Sequence, residues 1–176
     1  MEARTILRSE GDRLQPALLD RLCDDEPEKR QETLQFSVIS KGRLKRTVLR
    51  DINWLLNTTA HHTDHQLDDH PEVKRSVINF GIPVLSGKNF SSVDWAELER
   101  GIQQAIAFFE PRILPDTLKV TMIRPVDSLG HHNLLQFELR GELWSIPFPV
   151  ELLIRSELDL ETGQVMLVDQ LSTGTA

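Results

Sequence analysis

Leu135-Gln136-Phe137-Glu138-Leu139-Arg140-Gly141-Glu142-Leu143 switches between small or apolar and polar residues at every step. Successive side chains of a β-strand point to opposite faces. The run therefore predicts a half-buried strand. Leu135, Phe137, Leu139 and Leu143 form its dry side, and Gln136, Glu138, Arg140 and Glu142 its wet side. One wet face is the signature of an antiparallel sheet. Upstream, Leu118, Val120 and Met122 alternate with Lys119 and Thr121. Downstream, Pro147 and Pro149 have no ladder donor and mark a break or an edge. Leu152, Ile154, Leu158 and Leu160 then face one way, and Glu151, Arg155, Glu157 and Asp159 the other. Glu161-Thr162-Gly163-Gln164 turns the chain into a last short strand near Val165–Val168.

Before Leu118 the apolar period is helical. Leu44, Val48, Ile52 and Leu55 share one stripe between about Arg43 and Asn57, with Leu56 broadening it and Arg43, Lys45, Arg46 and Arg50 mainly outside it. A longer apolar side, Trp95, Leu98, Ile102, Ala105, Ile106 and Phe109, predicts a helix from about Asp94 to Phe109. Asp94 and Glu97 have the capping-box spacing at its start. Two shorter helices are expected. One follows Pro16 with Leu18, Leu19 and Leu22 as its apolar face, and one starts at Pro71 with Val73, Val77 and Ile78 as its apolar side and Gly81 as C-cap. Helices first and strands second imply an α+β domain, with N-terminal helices packed on one face of a C-terminal antiparallel sheet of about four strands. Residues 1–13 and 171–176 read as flexible ends around a single domain over 14–170. Asp24–Arg30 reads as a charged linker.

The chain has 176 residues, a net charge of −7 and one cysteine, Cys23. That length supports one domain with a real core. The acidic balance argues against generic binding to nucleic acid, which needs a basic face. The exception is local: Lys41-Gly42-Arg43-Leu44-Lys45-Arg46, read as a solvated or partner-paired helix face. One cysteine excludes an intramolecular disulfide and a cysteine-based zinc site. No apolar segment follows the N-terminal residues as in a signal peptide, and none has the length of a membrane span, so a cytoplasmic protein is expected.

Glu110-Pro111-Arg112 stands where the second long helix has to stop, because proline disfavours helical geometry in the residue before it. A carboxylate and a guanidinium are thereby held two residues apart, as a local ion pair or as a docking point for a partner's carboxylate. Glu110 is also a conceivable acid for glycoside hydrolysis, but no second carboxylate is singled out to work with it. The loop with His61, His62, Asp64, His65, Asp68, Asp69 and His70 has metal-ligand chemistry without the periodicity that would hold a rigid frame. It reads as a solvated loop, and His131-His132 beside Gly130 as a hairpin turn. No catalytic residue, metal or cofactor is expected.

Five segments in order carry a family resemblance. They are Leu18–Leu22, Val48–Thr58, Pro71–Pro83, Phe109–Ile113 and Leu158–Gly163. The set resembles the family of TssE, the baseplate subunit of type VI secretion systems, itself similar to the wedge protein of contractile phage tails that was historically called lysozyme-like. The resemblance implies a non-enzymatic structural protein at the membrane-docked baseplate. Glu110, Pro111 and Arg112 match the family's Glu-Pro-Arg motif, which implies an anchor on a core bundle of TssF and TssG. The further partners implied are TssK and the sheath proteins TssB and TssC, whose assembly would start on the sheet edges. The family's old name keeps peptidoglycan hydrolysis as the alternative. The chain departs from the family's pattern at Asn57-Thr58-Thr59, where an arginine is expected just after the helix, and in its His-rich loop.

Overall fold

The computed structural model describes residues 17–22, 28, 39–61, 67, 69–84, 94–123 and 134–168. The expectations for residues 1–13 and 171–176, Pro16, Cys23, the 24–30 linker apart from Glu28, the 131–132 turn and most of the His-rich loop lie outside the described residues. The four-stranded sheet is a plain antiparallel meander in the order β1-β2-β3-β4: β1 Lys119–Ile123, β2 Leu134–Leu143, β3 Val150–Asp159 and β4 Val165–Val168. Phe137 on β2 sits opposite Ser156 on β3, and Leu139 opposite Ile154. The alternation read from the sequence is the alternation of burial, with Leu135, Phe137, Leu139 and Leu143 fully buried. Pro147 and Pro149 stand in the connection between β2 and β3, so they mark the break and leave both edges of the sheet alone. At the β3–β4 turn Gly163 takes φ +73°, and Asp159 Oδ1 accepts from the backbone N–H of Glu161 and Thr162.

α2, Lys41–Leu56, begins two residues before the expected boundary. Ser40 supplies the reason: its hydroxyl accepts from the Arg43 N–H at 3.2 Å. Leu44, Val48, Ile52, Leu55 and Leu56 are all buried, as their spacing requires. α4, Trp95–Phe109, is capped by Asp94, whose carboxylate accepts from the N–H of Ala96 and Glu97. Leu98, Ile102, Ala105 and Ile106 enter the core, with Trp95 and Phe109 packed partly buried against it. One apolar core joins these helices to the inner face of the sheet, including Val120, Phe137, Ile154 and Leu158.

Both short helices depart from their expected orientation. α1, Leu18–Leu22, forms, but Leu18 and Leu22 are 70% and 74% exposed and Asp20 turns toward the body. After Pro71 the chain makes only α3, Pro71–Lys74, and a 3-10 turn, Val77–Asn79. Val73, Val77 and Ile78 are exposed, while the residues that turn inward are Asn79 and Ile82. Ser76 interrupts the helix, its hydroxyl and its N–H both donating to the Val73 carbonyl. Gly81 is no helix cap. Its φ of +138° lets the backbone pass so close to residues 58–60 that a Cβ there would lie 2.5 Å from the Thr58 oxygen. That approach is tied by Ile82 N–H to Thr58 O and Ala60 N–H to Ile82 O.

Both outer edges of the sheet meet side chains from the helices. On β1, Glu99 accepts from the Met122 N–H at 2.7 Å, and Gln103 donates to the Leu118 carbonyl at 3.0 Å. On β4, the Asn57 amide donates to the Val165 carbonyl and accepts from the Val165 N–H, both at 2.9 Å. Asn57 thus copies the pairing of a neighbouring strand for one residue. β4 continues past it, with the alternation of an antiparallel strand placing the N–H and C=O of Leu167 on the same outer side as those of Val165.

Candidate functional site

α4 ends as its sequence demands. The Glu110 N–H closes the last helical bond to Ile106 O, and Glu110 leaves helical geometry at φ −124°, ψ 74° ahead of Pro111. The next residues are stitched to the end of β2. Ile113 bridges Leu143, the Leu114 N–H donates to Glu142 O, and the Trp144 N–H donates to Arg112 O, the last two at 2.8 Å. The turn is therefore held at both ends by regular structure. Such support fixes a side chain's aim far better than a free loop does.

Glu110 is only 3% exposed, and among the described residues its carboxylate accepts from Arg112 alone. The Arg112 backbone N–H and Nε reach Oε1 at 3.1 and 2.7 Å, and one terminal nitrogen reaches Oε2. That same nitrogen donates to Asp51 Oδ2 on α2 at 2.5 Å. Asp51 Oδ1 in turn accepts from Arg50 Nε at 2.9 Å, and a terminal nitrogen of Arg50 lies 2.9 Å from the same oxygen as an ion-pair contact without hydrogen-bond geometry. Arg50 donates to Asp20 of α1 at 2.5 Å, and the Thr47 hydroxyl adds a bond at 3.3 Å. Charges thus alternate from Asp20 through Arg50, Asp51 and Arg112 to Glu110, across α1, α2 and the turn that ends α4. Burial opposes ionisation of Asp20, but the hydrogen bond and charge of Arg50, with Thr47 and Arg43 helping, hold its carboxyl below the usual range.

The structure places Glu110, Pro111 and Arg112 together as a rigid turn at the junction of α4, α2 and the end of β2. The local ion pair read from the sequence is present. Pro111 is exposed and Arg112 keeps 27% of its side chain accessible. Glu110, the residue considered as a glycosidic acid, is enclosed and committed to Arg112. Sequence reasoning did not join Asp51 to this turn. Its one available signal was a carboxylate on the flank of the buried α2 stripe, one turn from Thr47, Val48 and Leu55. Of the histidine and aspartate loop, His61, Asp69 and His70 are described. Among the described residues no group of three or more histidine, cysteine or acidic side chains is arranged to hold a metal ion. None of the described helices is long and apolar enough to cross a membrane.

No curated protein matches the chain. One solved chain, from "The baseplate complex from the type VI secretion system", aligns over 73% of this chain and 97% of its own length at 21% identity, with a TM-score of 0.42. The sequence model of the family "Baseplate wedge protein gp25" matches residues 42–147, which is more than half of the chain and spans α2, α4, the Glu110–Arg112 turn and β2. The chain belongs to the baseplate wedge protein gp25 family.

Proposed function

We propose that this wedge-family protein is a non-enzymatic structural subunit of a type VI secretion baseplate, docked through the Glu110-Pro111-Arg112 turn on a core bundle of TssF and TssG. TssK is a further baseplate partner in this reading, and the sheath proteins TssB and TssC assemble from its sheet. The observation that carries it is the geometry of Arg112. Its fork is aimed by Glu110 and Asp51 and still keeps an accessible side, beside an exposed proline. A guanidinium whose orientation is settled before contact loses little freedom on binding a carboxylate or carbonyl group.

For the sheath, the two edges are unequal. β1 is covered along α4 by Glu99 and Gln103, while among the described residues Asn57 bonds the outer edge of β4 at Val165 alone. An open strand edge is a template for another chain's backbone, so β4 is the edge this reading assigns to sheath contact.

The test is co-purification of TssF and TssG with the Arg112→Lys protein, which keeps the charge and loses the planar fork. Recovery is expected to fall sharply while the circular dichroism and melting profile of the isolated protein stay cooperative. Undiminished recovery of the complex rejects the anchor.

A further inference from the structure

α1 is mounted with its polar side inward. It meets the body through Asp20, which bonds Arg50 and Thr47 of α2. Leu18 and Leu22, one helical turn apart, point the other way and are 70% and 74% exposed. Burying leucine is normally what attaches a surface helix. Among the described residues that contribution is unused here. Beside α1, the outer face of α2 presents Arg43 and Arg46, and neither forms an ion pair among the described residues. Further along α2, Trp54 is 49% exposed, with the guanidinium of Arg50, the residue that bonds Asp20 of α1, 5.0 Å from its ring centre. A cationic, leucine- and tryptophan-bearing surface on a chain of net charge −7 is a local reversal of the molecule's character.

We propose that Leu18, Leu22 and Trp54, flanked by Arg43 and Arg46, form a second docking surface, for an acidic amphipathic helix of a partner protein. Leucine-type side chains of that helix cover the apolar residues, and its carboxylates meet the two arginines. The chemistry selects this occupant. A symmetric contact with a second copy would set the same arginines against one another. Nucleic acid would leave the two leucines without a partner, and an anionic membrane surface is disfavoured by the net charge of −7. The surface shares no residue with the Glu110–Arg112 turn and does not depend on that turn's assignment.

The full chain, labelled for NMR, is titrated with a synthetic amphipathic peptide of about 18 residues, leucine on one side and glutamate on its flanks. Saturable binding is expected, with shifts centred on residues 18–22 and 43–54 and weakening as salt rises. Leu18→Ser with Leu22→Ser, and separately Arg46→Glu, each weaken it about tenfold or more. The second variant tests the idea if the first loosens α1. The same peptide with lysine for glutamate is expected not to bind, and Arg112→Lys is expected to leave binding intact. Absence of saturable binding, shifts elsewhere, or equal binding of the lysine peptide overturns the proposal. Tighter retention of duplex DNA or phosphatidylglycerol vesicles overturns it in favour of those ligands. Concentration-dependent dimerisation abolished by the leucine variant overturns it in favour of a second copy.

Discussion

Arg112 Nε donates to Glu110 Oε1 at 2.7 Å, and Arg112 reaches Asp51 of α2 at 2.5 Å, so the guanidinium both neutralises a buried carboxylate and ties the turn to a helix 61 residues earlier. Removing such a partner leaves Glu110, 3% exposed, as an uncompensated charge. Arg112→Met is expected to cost about 3 kcal/mol in urea unfolding. Glu110→Met combined with Arg112→Met should cost clearly less than Arg112→Met alone, because no unpaired charge then remains. An equal or larger loss in the double variant would contradict this account of the pair. A truncation of Arg112 therefore confounds folding with docking, which is why the lysine variant is the sharper probe of partners.

Asn57, the residue that follows α2, has a task of its own. Its amide makes two bonds to the Val165 backbone, across 108 residues. Only the orientation with oxygen toward the N–H and nitrogen toward the carbonyl satisfies both. Asn57→Leu should lower stability by about 1–2 kcal/mol. It should also speed hydrogen exchange at Val165 more than at Leu135 in the middle of the sheet. Unchanged exchange at Val165 would show that the amide does not guard that edge.

Gly81 tolerates no side chain. An added Cβ meets the Thr58 oxygen at 2.5 Å and the Ala60 nitrogen at 2.6 Å, in a φ region that alanine rarely adopts. Gly81→Ala should cost at least about 3 kcal/mol, seen as a lowered urea midpoint. Gly42, with open space around its Cβ position, provides the contrast: Gly42→Ala in α2 should hold or raise stability by up to about 1 kcal/mol.

Acid should loosen α1 in a defined direction. Asp20 ionises below its ordinary value of 3.8 in the folded protein. The stability it contributes is complete above that value and is lost as pH falls from there through the lower folded one. Glu138 behaves alike from 4.5, because hydrogen bonds from Arg140 and then Arg155 favour its charged form over the opposing effect of burial. Unfolding free energy should fall steadily below about pH 4.5. Asp20→Asn should be less stable than the parent at neutral pH and flatter in acid, measured by urea unfolding across pH. A parallel acid decline in parent and variant would remove Asp20 from the explanation.

What could be read in the chain follows the range of the forces. Alternation at Leu135–Leu143 and the helical stripes of α2 and α4 are local patterns, and one large core rewards them directly, so strand and helix identities hold to within two residues. The same rule applied to Leu18, Leu22, Val77 and Ile78 predicts buried faces that are not buried. A helix of one or two turns is oriented by whichever contact binds it most, here Asp20 to Arg50 and the Ser76 hydroxyl to Val73, and composition does not rank those contacts.

Local pattern was enough for the order of helices and strands, the stop at Pro111 and the proximity of Glu110 to Arg112, because backbone geometry and side-chain period act over a few residues. Tertiary structure alone decided that Arg112 also holds Asp51 and that Asn57 pairs with Val165. It likewise decided that Glu99 caps β1 at Met122 and that, among the described residues, Asn57 meets the outer edge of β4 at Val165. Those outcomes depend on which distant groups the shared core brings within hydrogen-bond distance, and a bond of under 3 Å is set by the packing of whole elements rather than by the residues that flank it.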